Sequence, residues 1–173
     1  MSAAEERVSV VTITDPDQMH DLGIRLGRQL RAGDLVTLTG PLGAGKTTLT
    51  RGIGEGLGVR GPVTSPTFVL ARTHPSVVGG PALVHVDAYR LASAVELDDL
   101  DIDFATSVVV AEWGAGMLDG VADSWLDLVI ERPTGAAGRA TEEPTEGEEP
   151  IEPRVITITA VGPRWAGGVH LDR

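Results

Sequence analysis

Eight consecutive residues limit what this chain can fold into more than any others: Gly40-Pro41-Leu42-Gly43-Ala44-Gly45-Lys46-Thr47. They satisfy the P-loop pattern G-x-x-x-x-G-K-[ST] without a gap. The flanks also suit it, with the apolar stretch Asp34–Thr39 before the turn and a helix-compatible stretch from Lys46 to about Leu57 after it. Each residue type has a physical purpose. Glycines let successive backbone N–H groups curl inward around an anion, where side chains would collide. The helix that follows adds the positive end of its dipole. Lys46 brings a slim, mobile ammonium to the β- and γ-phosphates, which a broad planar guanidinium could not replace in a closed loop. Thr47 offers a hydroxyl to Mg2+, and Thr48 one to the α-phosphate. Lys46 is also the chain's single lysine, so the segment widely used by GTPases to read guanine (Asn/Thr-Lys-x-Asp) is absent and the pattern points to ATP.

Composition narrows the remaining classes. With 173 residues and 42% apolar content the chain can bury one ordinary core, which argues for a single domain. No cysteine is present, which removes disulfides, Cys-ligated zinc, iron–sulfur clusters and thiol nucleophiles. The net charge of −11 argues against this chain gripping nucleic acid alone, because phosphate contacts need a clustered basic surface. Aliphatic runs such as Val108-Val109-Val110-Ala111 are far shorter than a membrane span, and the polar start Met1–Glu6 has no apolar signal core. A cytoplasmic protein with no membrane partner is the expectation.

Along the chain, Arg7–Thr14 alternates like a strand, and Asp15-Pro16-Asp17 supplies an N-cap and a first-turn proline. Met19, Leu22, Leu26 and Leu30 then form the stripe of an amphipathic helix ending near Gly33. Gly52, Gly54 and Gly56 weaken the propensity of the second helix, so packing must hold it. Thr67–Ala71 and Ala82–Asp87 read as a hairpin joined by a loop from Pro75 to Pro81, and Ser93–Leu100 as a short capped helix. Ser107–Trp113, Trp125–Glu131 and Val155–Val161 read as strands, the first of them buried on both faces. Residues 133–153 carry Glu142, Glu143, Glu146, Glu148, Glu149 and Glu152 against Arg139 alone, and read as a disordered acidic insertion between the last two strands. Residues 162–173 form a C-terminal tail.

A P-loop needs an acid near its magnesium, usually at the end of a buried strand. Two strands end that way, in Asp87 and in Glu112. Together they make a mechanism, one acid holding Mg2+ and the other the metal or the attacking water; the sequence does not divide the roles. Lys46, Asp87 and Glu112 are therefore the catalytic candidates, and Thr47, Asp87 and Glu112 the metal candidates. Ser65-Pro66-Thr67-Phe68 offers two hydroxyls beside a proline where a γ-phosphate sensor would lie, or else a turn opening a strand. His85 reads as a strand residue, not a metal ligand. Arg90 fits a phosphate partner, an Asp87 partner or a surface ion pair equally. Trp113 follows Glu112 closely enough to report nucleotide binding.

Taken in order, Gly40–Thr48, Ser65-Pro66-Thr67-Phe68, His85-Val86-Asp87-Ala88-Tyr89-Arg90-Leu91 and Glu112-Trp113 resemble the TsaE family, bacterial P-loop ATPases of tRNA threonylcarbamoyladenosine (t6A) biosynthesis. The resemblance spans roughly residues 8 to 132 and the last strand. It implies an α/β P-loop NTPase fold, a mixed and mostly parallel sheet flanked by helices. It implies that Leu42, Gly43, Ala44, Gly45, Lys46, Thr47 and Thr48 wrap the phosphates of ATP, that Thr47 and Glu112 bind Mg2+, that Asp87 assists hydrolysis and that Ser65 and Thr67 belong to a switch-like loop. It further implies work in a complex with TsaD and TsaB homologues on adenosine 37 of tRNAs reading codons that start with A. Contact with the tRNA itself would be indirect, through that complex. Pro41 departs from the family's usual Asp, and the acidic insertion lengthens a connection that is short in typical members. Asp15, Arg139 and Arg154 are candidates for the base.

Three functions compete on the residues themselves. The first is an ATPase that drives partner proteins and turns over slowly alone. The second is a small-molecule P-loop kinase, disfavoured because its likeliest lid, residues 133–153, is acidic and would repel ATP. The third is a nucleotide-gated binding module in which hydrolysis is incidental.

Overall fold

A computed structural model describes residues 6–40, 45–61, 71–87, 102–112, 123–131 and 153–170. Strand β1 (Glu6–Ile13) leads into helix α1 (Pro16–Gln29), then β2 (Leu35–Thr39), α2 (Lys46–Leu57), β3 (Ala71–His74), β4 (Ala82–Asp87), β5 (Ser107–Glu112), β6 (Trp125–Glu131) and β7 (Arg154–Val161). The short 3-10 turn Pro163–Trp165 follows. Among the described residues the strands form one mixed sheet in the order β1-β7-β6-β2-β5-β4-β3. Its centre is parallel, β6 with β2, β2 with β5 and β5 with β4. The outer pairings, β1 with β7, β7 with β6 and β3 with β4, are antiparallel. The expected parallel character is thus confined to the middle of the sheet. At one side the reason is plain: the connection from His74 to Ala82 is too short for a crossover, so β4 can only turn back on β3.

Alternation along the strands separates two cores. Val36, Leu38, Val108, Val110, Leu126, Leu128, Ile156 and Ile158 face the helices and pack with Leu22, Leu26, Leu49 and Ile53. Leu35, Val84, Val86, Val109 and Ala111 form a smaller cluster on the opposite face with Phe104 and Trp125. Strand β5 contributes to both and is buried at all six positions, as its unbroken apolar run predicts.

Helix α1 starts where the sequence marks it. Asp15 Oδ1 accepts from Gln18 N at 2.8 Å, Gln18 Oε1 accepts from Thr14 N at 2.9 Å, and Pro16 occupies the first turn. The two helices then approach so closely that glycine is required on both. A Cβ on Gly23 or Gly52 would collide with the carbonyl oxygen of Leu49 or His20 respectively. One turn on, Gly27 and Gly56 stand in the same relation to the carbonyls of Ile53 and Ile24. The glycines of α2 therefore lower its propensity but allow backbone-to-backbone packing against α1, and that packing holds the helix. His20 Nε2 and Glu55 Oε2 also meet at 2.8 Å across the same seam.

The end of the described chain is fastened to the α1–β2 turn. Arg164 grips Asp34 with Nε to Oδ1 at 3.1 Å and Nη2 to Oδ2 at 3.2 Å, and Nη2 also donates to the carbonyl of Gln29 at 2.7 Å. The same guanidinium lies 4.0 Å from the centroid of the Trp165 ring, which is buried. The expected Ser93–Leu100 helix and nearly all of the acidic stretch lie outside the described residues. No described helix is long and apolar enough to cross a membrane.

Candidate functional site

The site gathers at the carboxyl ends of the parallel strands, where an open α/β sheet binds its ligands. Register sets its floor: Leu38 of β2 is level with Glu112 of β5, and Glu112 is level with Asp87 of β4. Directly aligned residues of parallel strands share a face, so His85, Asp87, Val110 and Glu112 all point to the helix side. Gly40 lies two residues after Leu38, and α2 begins at Lys46.

Gly45 caps α2 with φ +107°, a left-handed conformation natural to glycine, and a Cβ there would press on Met19 Cε at 3.0 Å. Glycine brings no capping side chain, and no acidic residue lies in the first turn. The first intrahelical bond runs from Leu49 N to Gly45 O at 2.9 Å, so the N–H groups of Lys46, Thr47 and Thr48 precede the helical ladder. Thr47 and Thr48 are half-buried in this turn.

Lys46 is buried, and its Nζ donates to the carbonyl of Gly40 at 2.7 Å. Burial pushes its ammonium below the ordinary lysine range, while the negative fields of Glu112 and then Asp87 push in the other direction. Both acids therefore act on the lysine electrostatically. Glu112 is only 8% exposed, and its Oε2 lies 3.0 Å from Nε2 of His85, which is fully buried. His85 is a strand residue, as expected, but the sequence pattern does not announce its contact with Glu112. The available signal is the spacing: His85 precedes Asp87 by two and so shares its face.

This donor set suits a polyanion accompanied by a hard divalent cation. A desolvated ammonium and a helix N-terminus favour phosphate oxygens. Among the described residues no group of three or more His, Asp or Glu forms a metal cage. A magnesium site made of one or two carboxylates and a hydroxyl is completed by phosphate oxygens and water, so Thr47, Glu112 and Asp87 fit that role. Of the other candidates, Leu42, Gly43 and Ala44, Ser65 and Thr67, Arg90, Trp113 and Arg139 lie outside the described residues. Asp15 serves as the cap of α1, and Arg154 opens β7.

Comparison with known proteins shows what the chain is similar to. The profile described as "Threonylcarbamoyl adenosine biosynthesis protein TsaE" matches residues 13–140. A Streptomyces coelicolor protein, tRNA threonylcarbamoyladenosine biosynthesis protein TsaE, is 54% identical over 151 residues, covering 86% of this chain and 94% of that one. Its Bacillus subtilis namesake is 36% identical over 138 residues, covering 78% and 75%. The crystal structure of Bacillus subtilis YdiB superposes with a TM-score of 0.64 at 27% identity, over 91% of this chain and 88% of that one. With the profile spanning most of its length and relatives this similar, the chain belongs to the TsaE family of threonylcarbamoyl adenosine biosynthesis proteins.

Proposed function

We propose that this protein binds and hydrolyses ATP in the machinery that forms N6-threonylcarbamoyladenosine at position 37 of tRNAs reading codons that start with A. Family membership supports the pathway. The observation that carries the nucleotide is Lys46, buried at a helix start without a side-chain cap and subject to the negative fields of two strand-end carboxylates. Lys46 and the backbone N–H groups of the turn would hold the β- and γ-phosphates, with Thr48 at the α-phosphate. Thr47 and Glu112 would hold Mg2+, and Asp87 would orient the water. Bound there, the metal supplies positive charge to the γ-phosphoryl oxygens. The products are ADP and phosphate, and hydrolysis resets partners homologous to TsaD and TsaB.

Turnover by the protein alone should be slow, and partners should raise it. The test is reconstitution of t6A formation with TsaD and TsaB homologues and Glu112→Gln. The variant should still bind ATP and should stop sustained modification. Normal modification by Glu112→Gln would overturn the hydrolytic role and leave a nucleotide-gated docking module instead.

A further inference from the structure

A glutamate has three side-chain torsions, and a carboxylate that turns freely presents a metal or a water with no fixed oxygen. At Glu112 one oxygen is tied. His85 is 0% exposed, and its Nε2 lies 3.0 Å from Glu112 Oε2. The contact is diagonal across adjacent parallel strands, since His85 is level with Val110 and Glu112 with Asp87. Both ends thus stand on rigid, buried backbone.

We propose that His85 is a positioning residue for Glu112, donating from Nε2 to Oε2 so that Oε1 is presented at the start of α2 beside Lys46. The proposal rests on the assignment of Glu112 to the cation and hydrolysis.

The chemistry favours imidazole at this place. An ionised carboxylate only accepts, so the shared proton belongs on Nε2, and Nδ1 is left as the acceptor. Among the described residues Nδ1 has no partner. Buried lone pairs are tolerated more readily than buried N–H groups, which fits that tautomer. An aliphatic residue at position 85 would leave Oε2 dry and unpaired. A lysine or arginine would cancel the charge that Glu112 needs to attract a cation. Neutral imidazole gives the hydrogen bond and keeps the carboxylate's charge available. Such partners behind a metal-binding carboxylate commonly alter metal affinity by about 10- to 100-fold.

The test compares His85→Leu, which fills the space without a donor, and His85→Gln, whose amide can donate from a similar position. Calorimetry gives the ATP dissociation constant in Mg2+ and in EDTA, and thermal melting confirms that each variant folds. In His85→Leu the affinity in EDTA should stay within about threefold, while the gain conferred by Mg2+ should shrink by about 10-fold or more. His85→Gln should restore most of that gain. Because His85 acts through Glu112, adding His85→Leu to Glu112→Gln should cause no further loss.

The outcomes separate the two ideas. If Glu112→Gln leaves the Mg2+-dependent gain intact, the assignment of Glu112 fails and the proposal falls with it. If Glu112→Gln abolishes the gain but His85→Leu keeps it, positioning alone is refuted. Positioning is equally refuted if the two losses add, if His85→Gln fails to rescue, or if only EDTA affinity and melting temperature change.

Discussion

Gly23 of α1 and Gly52 of α2 oppose each other so closely that a Cβ on either would lie 2.8 to 2.9 Å from the Cα of the other. The atoms it would strike are backbone, which cannot swing aside as a flexible side chain can. This contact aims the first turn of α2, and with it Lys46, at the carboxyl ends of β4 and β5.

Alanine at Gly23 or at Gly52 should therefore destabilise the protein. The helix-propensity gain of about 1 kcal/mol is outweighed by forcing the helices apart. We expect a net loss of about 1 to 3 kcal/mol, read from urea unfolding. At Gly167, where a Cβ would meet nothing within 4 Å, alanine should change stability by less than about 0.5 kcal/mol.

Arg164→Ala should be as severe. It would leave the Asp34 carboxylate, 6% exposed, with an uncompensated charge and would strip the stacked cation from Trp165. Breaking such a pair costs about 3 kcal/mol, less here because Arg164 keeps some solvent contact. Lysine should recover only part of the loss, because the grip on Asp34 is two-pronged. Thermal unfolding of the three proteins decides the order.

Lys46→Ala should weaken ATP binding by about 30-fold or more, the equivalent of about 2 kcal/mol for a charge-assisted hydrogen bond. Lys46→Arg should not rescue it, for want of room. Burial lowers the lysine's proton affinity, so ATP binding should decline with rising pH before the ordinary lysine value of 10.5 is reached. Calorimetry between pH 7 and 10 would reveal the decline, and an unchanged affinity in Lys46→Ala would remove the phosphate assignment.

Acid should weaken the fold through His74. Burial first, and the neighbouring Arg72 guanidinium, hold its imidazole below the ordinary value of 6.5. Between 6.5 and that lowered value the unfolded chain binds the proton and the folded chain does not. Stability contributed by this group is thus full above pH 6.5 and is lost as pH falls through the folded value. In His74→Leu the fall in unfolding free energy from pH 7.5 to 5 should be shallower than in the parent. An identical slope would show that His74 takes no part.

Much of this architecture is legible in local sequence. Helix α2 begins and ends at Lys46 and Leu57 because glycines at 45 and 58 punctuate it, and β6 matches its alternating pattern from Trp125 to Glu131. The strand order is not legible, since no local pattern says that β5 lies between β2 and β4. That order makes Asp87 and Glu112 neighbours, although the sequence nominates both. Gly52 and Gly56 look merely destabilising until Gly23 and Gly27, also four apart, are seen across from them. His85 looks like an ordinary strand residue because its partner is 27 positions away and visible only through register.

One lysine in the whole chain, buried against Gly40, has a consequence for chemical modification. Any acyl group transferred to a lysine of this protein, by a metabolite thioester or by a laboratory ester, has a single destination. A mass increment located on the Lys46 peptide, apart from any on the N-terminal amine, would report its blocking, and a ligand held by that side chain would protect it from the reagent.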